Sequence, residues 1–135
     1  MITLDTSGVL AALNRADPDH AHARQALESE HGPLIVPAGI LAEAGYMIEA
    51  DLGAAVLRRF VADLADGFYD LDCGAGDFER VGALLDRYAD LRLGIADACV
   101  VACAERNAGR VLTFDHRDFA PVAREGTISI VPALA

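Results

Sequence analysis

Short apolar runs that alternate with longer amphipathic segments are the feature that most constrains the fold of this chain. Such runs predict strands at residues 2–4, 33–37, 68–71, 110–114 and 128–131. Helical spacing of apolar residues predicts helices at residues 20–31, 39–51, 52–64 and 77–91, with two more beginning near residues 6 and 97. Strands that alternate with helices indicate an α/β fold, a three-layer α/β/α arrangement around a mainly parallel central sheet. We expect one domain over residues 1–135.

The charge balance limits how such a chain could act on nucleic acid. The formal net charge is −10, and all 11 basic residues are Arg, so chemistry that requires a Lys is excluded. A strongly acidic protein repels nucleic acid at long range. A nuclease of this composition must therefore supply positive charge locally, either through a cation or through well-placed Arg residues.

Cysteine usage and the N-terminal sequence bear on the cellular compartment. The chain has three cysteines, Cys73, Cys99 and Cys103, which is an odd number and suggests no disulfide framework. We interpret Cys99 and Cys103 as small buried residues of one helix face. The first residues lack a signal-peptide pattern, and no uninterrupted apolar run reaches the ~18 residues of a membrane span. The sequence therefore predicts a cytoplasmic protein without a membrane segment.

Two acids directly follow predicted strands, and a third interrupts an apolar helix face. Asp5 follows the first strand and Asp115 follows the strand at 110–114. The carboxyl ends of parallel strands meet at one sheet edge, so these acids should meet if their strands are neighbours. Glu43 shares a predicted helix face with Ile40 and Met47, where a carboxylate is costly unless it is paired or metal-bound.

Asp97 is a fourth acid of interest. Val100, Val101 and Ala104 follow it at helical spacing, so Asp97 is predicted to lie on the inward face of its helix. We expect that helix to begin at the opposite edge of the sheet, in which case the spacing alone does not bring Asp97 to Asp5 and Asp115.

Carboxylates that gather in an apolar cleft require protonation or a cation. Oxygen ligands suit a hard cation such as Mg²⁺, which commonly binds a few carboxylates together with substrate phosphates. Such a cation can activate water for attack on phosphorus and stabilise the leaving oxygen. The sequence contains no P-loop, dinucleotide-binding motif or Ser-His-Asp order that would favour another chemistry. Helix capping is the alternative role for Asp5.

Four short motifs that contain these acids resemble the ordered acidic motifs of PIN domains. They are Leu4-Asp5-Thr6-Ser7, Leu41-Ala42-Glu43-Ala44, Ala96-Asp97-Ala98-Cys99-Val100-Val101-Ala102 and Leu112-Thr113-Phe114-Asp115. The whole chain is similar to VapC-type toxins of type II toxin–antitoxin systems. This resemblance implies a PIN-like fold, a metal-dependent endoribonuclease activity, inhibition by a cognate VapB-like antitoxin, and a homodimer.

The resemblance also implies roles for individual residues. Asp5, Glu43, Asp97 and Asp115 would line the catalytic site, and the fold would bring Asp97 to the cleft. Asp5, Asp97 and Asp115 would bind Mg²⁺, with Mn²⁺ as the alternative ion, and the first and third motif acids would be the usual ligands. Hydroxyl groups that would support the acids by hydrogen bonds belong to Thr6, Ser7 and Thr113. Asp118 would either assist the metal or form a turn, and the turn is favoured.

Two other functions remain open from the sequence. One is a PIN-like binding module without catalytic activity. The other is a phosphatase with an Asp nucleophile, as in haloacid-dehalogenase-like enzymes. Against the phosphatase, Ser7 stands where that motif has a second Asp, and the chain has no Lys.

Overall fold

The computed structural model describes residues 1–133, and these residues form alternating strands and helices. The strands are β1 (Ile2–Leu4), β2 (Leu34–Pro37), β3 (Asp70–Asp72), β4 (Arg110–Leu112) and β5 (Ser129–Val131). The α-helices are α1 (Thr6–Leu13), α2 (His20–Glu28), α3 (Leu41–Leu52), α4 (Ala54–Ala65), α5 (Phe78–Arg87), α6 (Ile95–Arg106) and α7 (His116–Arg124). Single 3₁₀ turns precede α3 (Ala38–Ile40) and α6 (Ala89–Leu91). Residues 134 and 135 of the expected domain 1–135 lie outside the described residues.

The sheet has the order β3-β2-β1-β4-β5, and every neighbouring pair is parallel. In the central strand β1, Thr3 lies opposite Ile35 on one side and Val111 on the other. The side chains of β1 are fully buried, because helices cover both faces of the sheet. The predicted three-layer α/β/α fold is therefore confirmed.

Helix α6 packs against β1 and β4, and six of its residues are buried. Val100, Val101 and Ala104 are 0% exposed, as their spacing after Asp97 predicted. Helix α1 also comes unusually close to the sheet. A Cβ atom on Gly8 would lie 2.5 Å from the carbonyl oxygen of Leu112, so only glycine fits there.

Two segments differ from the sequence-based expectation. The edge strand predicted at residues 68–71 is found at Asp70–Asp72. The segment after β4, for which the apolar spacing predicted no helix, forms helix α7. Pro121 in this segment resembles a helix breaker, yet Asp115 caps the helix and Phe119 and Val122 bury one of its faces. Capping and burial therefore outweigh the loss of one backbone hydrogen bond at the proline.

Within residues 1–133, every helix is too short or too polar to cross a membrane.

Candidate metal centre

The candidate site lies at the carboxyl edge of the neighbouring strands β1 and β4. Asp5 is the first residue after β1, and its backbone N–H donates to the carbonyl oxygen of Leu112 at the end of β4. Thr113 and Asp115 follow β4 within three residues. The condition that these two strands be neighbours is met, so Asp5 and Asp115 leave the sheet at the same edge.

Asp5 lies at the bottom of the site and is only 2% exposed. One of its carboxylate oxygens accepts hydrogen bonds from the backbone N–H of Gly8 at 2.7 Å and the hydroxyl of Ser7 at 2.8 Å. The other accepts from the hydroxyl of Thr113 at 2.6 Å and from Ser7 at 2.9 Å. Asp5 thus caps α1, as its alternative role suggested. Its charge also acts on Asp97, although Asp5 is not among the acids whose oxygens converge within 4.8 Å. Burial raises the pKa of Asp5 to about 6, although these three donor groups lower it.

Asp115 occupies the capping position of α7 and accepts a hydrogen bond from the backbone N–H of Asp118 at 3.2 Å. The backbone N–H of Asp115 itself donates to the hydroxyl of Thr113 at 3.0 Å. Because that hydroxyl donates to Asp5, Thr113 connects the two acids. Burial also raises the pKa of Asp115, and the neighbouring charge of Asp118 raises it further.

Asp97, in the first turn of α6, lies beside Asp115 and Asp118. Carboxylate oxygens of these three residues all lie within 4.8 Å of one another, and all three side chains are partly buried. The expectation that this helix begins at the opposite edge is wrong. Helix α6 leads directly into β4 and runs back along it, so α6 must begin beside the carboxyl end of β4.

The cluster is electrostatically unfavourable when its acids are all ionised. Burial raises the pKa of Asp97 to about 8, aided by hydrogen bonding with the carboxyl group of Asp118 and by the negative charges of Asp118, Asp5 and Asp115. Such a set must hold protons or a cation at neutral pH. The ligand atoms are all carboxylate oxygens, which fits a hard divalent cation such as Mg²⁺ or Mn²⁺.

Glu43 is not part of this cluster of carboxylates within residues 1–133. It lies in the first turn of α3 with its side chain exposed, so the prediction that it projects from a buried helix face is wrong. The buried residues of α3 are Ala44 and Ile48. Ile40, which defined the predicted face, belongs to the 3₁₀ turn, and the helical register therefore does not extend back to it.

The supporting hydroxyls have different surroundings. Ser7 and Thr113 contact Asp5 directly, and Ser7 also accepts a hydrogen bond from the backbone N–H of Phe114 at 2.9 Å. Thr6 is 8% exposed, and among residues 1–133 no hydrogen bond joins its hydroxyl to an acid. The favoured interpretation of Asp118 as a turn residue is wrong, because Asp118 lies in the first turn of α7 and in the cluster.

A parallel α/β/α sheet with clustered carboxylates at its carboxyl edge is the architecture expected of a PIN domain. The sequence profile of the PIN domain family matches residues 2–125, and the chain belongs to this family. The chain is 34% identical to ribonuclease VapC26 of Mycobacterium tuberculosis (strain ATCC 25618 / H37Rv), over 96% of this chain and 98% of that protein. The resemblance inferred from the sequence motifs is confirmed.

Two solved structures share the fold. VapC20 of Mycobacterium tuberculosis, a toxin that cleaves the sarcin–ricin loop, superposes with a TM-score of 0.80 at 19% identity, over 90% of this chain and 95% of VapC20. FitAcB from Neisseria gonorrhoeae superposes with a TM-score of 0.61 at 20% identity, over 96% of each chain.

Proposed function

We propose that this protein is a metal-dependent endoribonuclease and the toxin of a VapBC-type toxin–antitoxin pair. The observation that carries the proposal is the carboxylate cluster of Asp97, Asp115 and Asp118 beside buried Asp5, in a PIN domain. The 34% identity to a VapC ribonuclease along nearly the whole chain supports RNA as the substrate.

Each acid has a role in this proposal. Asp97, Asp115 and Asp118 would hold Mg²⁺ or Mn²⁺, because their carboxylate oxygens lie within 4.8 Å of one another. Asp5 accepts from three donor groups, and a carboxylate has about four acceptor sites, so Asp5 can also contribute a ligand. Ser7 and Thr113 orient Asp5. The bound cation supplies positive charge and Lewis acidity at the scissile phosphate.

The direct test is cleavage of cellular RNA by the purified protein. We expect cleavage with Mg²⁺, and its loss with excess EDTA or in Asp97→Asn and Asp118→Asn. Asp86→Asn is the matched control, because Asp86 is an exposed acid of α5 outside the cluster. Full cleavage in excess EDTA would contradict a metal-dependent nuclease. RNA binding without cleavage would instead support the inactive binding module.

A phosphatase with Asp5 as nucleophile has little structural support. Asp5 is 2% exposed, and its oxygens are occupied by Ser7, Gly8 and Thr113. A nucleophile would need an accessible oxygen aimed at phosphorus.

We further propose a homodimer that binds a VapB-like antitoxin in the cytoplasm. Exposed large apolar side chains, among them Tyr46, Phe78 and Ile95, support contacts with other chains. The three cysteines are free, which suits a reducing compartment. Light scattering of the purified protein, alone and co-expressed with a neighbouring small reading frame, tests both partners. A monomer at every concentration would argue against the dimer.

A further inference from the structure

Most arginines of this acidic chain are already engaged by acids. Six of the 11 arginines form ion pairs, namely Arg24, Arg59, Arg80, Arg87, Arg106 and Arg110. Within residues 1–133, five form none: Arg15, Arg58, Arg92, Arg117 and Arg124. With a net charge of −10, arginines that no acid neutralises are the side chains best placed to attract a phosphate backbone.

Arg117 differs from the other unpaired arginines in its position. It lies in the first turn of α7, between Asp115 and Asp118 of the carboxylate cluster. Its side chain is exposed. Burial raises the pKa of the Asp115 carboxyl, and the positive charge of Arg117 opposes this rise only weakly. Arg117 therefore belongs to the helical turn that carries two acids of the candidate metal centre.

Arg117 has no evident structural task in the described chain. No acid within residues 1–133 lies within ion-pair distance of it, and the Asp115 carboxylate instead caps α7 through the backbone N–H of Asp118. Phe119 and Val122, the buried residues of α7, hold the helix against the core, and Arg117 takes no part in this packing. An exposed cation next to a cluster of acids, without an ion-pair partner within residues 1–133, is available to bind an anion from solution.

We infer that Arg117 binds a backbone phosphate of the RNA next to the phosphate held at the carboxylate cluster. This inference rests on the proposed ribonuclease function. The planar guanidinium fork can donate two parallel hydrogen bonds to phosphate oxygens, which an ammonium group cannot do. Arg117 thus offsets the repulsion between an acidic protein and its substrate at the point where the substrate must lie. It acts as a substrate-binding residue with no part in proton transfer.

The test measures RNA affinity and cleavage separately. The binding of a fluorescent single-stranded RNA oligonucleotide is followed by anisotropy over a series of salt concentrations, with Ca²⁺ replacing Mg²⁺ to slow turnover. For Arg117→Ala we expect about five- to tenfold weaker binding at low salt, and a salt dependence of log K smaller by roughly 0.7. Arg117→Lys should keep the salt dependence and recover part of the affinity. With Mg²⁺, Arg117→Ala should raise KM more than it lowers kcat.

The matched control is Arg124→Ala, which removes another exposed, unpaired arginine of the same helix. Seven residues separate the two positions, about 10 Å along the helix axis. Binding by Arg124→Ala should equal that of the parent. The inference is overturned if Arg117→Ala binds RNA as the parent does, or if both variants weaken binding equally. If the parent cleaves RNA with Mg²⁺ and Arg117→Ala binds and cleaves RNA equally well, only the role of Arg117 is overturned. Parent protein that neither binds nor cleaves RNA overturns the proposed function as well.

Discussion

At the scale of single residues, Thr113 holds Asp5 and Asp115, which follow different strands, in fixed positions relative to each other. Its hydroxyl donates to Asp5 and accepts from the backbone N–H of Asp115. A hydroxyl can donate once and accept as well, which is the combination this position requires. The Asp5 carboxylate and the Asp115 backbone are thereby both tied to Thr113, just after β4. Asp115 is thus positioned through its backbone as well as through its side chain.

Glu43 gives a prediction at the same scale. Its side chain is exposed in the first turn of α3, so replacing it should not disturb the core. We predict that Glu43→Gln leaves the melting temperature within about 1 °C of the parent. From the site role that the family resemblance implies, we expect RNA cleavage to fall at least about tenfold, because an amide can neither accept a proton nor bind a cation as a carboxylate does.

The control for this change is Glu49→Gln, which alters another exposed Glu of the same helix. It should leave both cleavage and melting temperature unchanged. Cleavage by Glu43→Gln at the parental rate would remove Glu43 from the site.

The candidate site was only partly predictable from the sequence. Asp5 and Asp115 could be placed together because each follows a strand, and that reasoning needs only parallel pairing of β1 and β4. Glu43 was wrongly predicted to be buried, because the helical period was extended through a 3₁₀ turn. Asp118 was interpreted as a turn residue, whereas the cap at Asp115 and the burial of Phe119 and Val122 place it in a helix.

At the scale of elements, the close approach of α1 to β4 positions the base of the site. A methyl group on Gly8 would meet the backbone carbonyl oxygen of Leu112 at 2.5 Å, and neither backbone can move freely. The N–H of Gly8 also donates to Asp5. We predict that Gly8→Ala lowers the free energy of unfolding by about 1–3 kcal/mol, as overpacking generally does. It should also reduce metal affinity by displacing Asp5.

Denaturant unfolding with and without Mg²⁺ measures both effects. Gly82→Ala is the control, because Gly82 lies within α5 and a methyl group there would meet open space. Higher helix propensity should stabilise that variant by up to about 1 kcal/mol. Equal stability of Gly8→Ala and the parent would contradict the close packing of α1 on β4.

At the scale of the whole molecule, the alternation of strands and helices was sufficient to predict a parallel three-layer fold. The strand order was not predictable in the same way, since it depends on which strands become neighbours across long stretches of chain. β1 lies between β2 and β4 in the sheet. Its parallel pairing with β4 brings the carboxyl ends of these two strands together. The start of α6 beside Asp115 follows from the same order, and it supplies Asp97 to the site.

The stability of the metal-free protein should fall as the pH rises. In the unfolded chain Asp5 and Asp97 ionise near their usual pKa of about 4. In the folded protein their pKa values are raised to about 6 and about 8. Between these limits the folded state binds more protons than the unfolded state, so the stabilisation present at low pH is lost as the pH rises through 6 and then 8.

Melting temperatures in EDTA at pH 5.5 and pH 8.5 test this dependence, and we expect a decrease of roughly 5 °C at the higher pH. Asp97→Asn keeps the shape of the side chain and removes one charge, so it should show a smaller decrease in melting temperature and be at least as stable as the parent at pH 8.5.

Added Mg²⁺ should stabilise the parent more at pH 8.5 than at pH 5.5, because the folded protein binds the cation through ionised carboxylates. Asp97→Asn should lose most of that gain, whereas Asp86→Asn should behave as the parent. A metal-free parent equally stable at both pH values, or an Asp97→Asn protein with the full response to Mg²⁺, would contradict a charge-strained metal centre at Asp97.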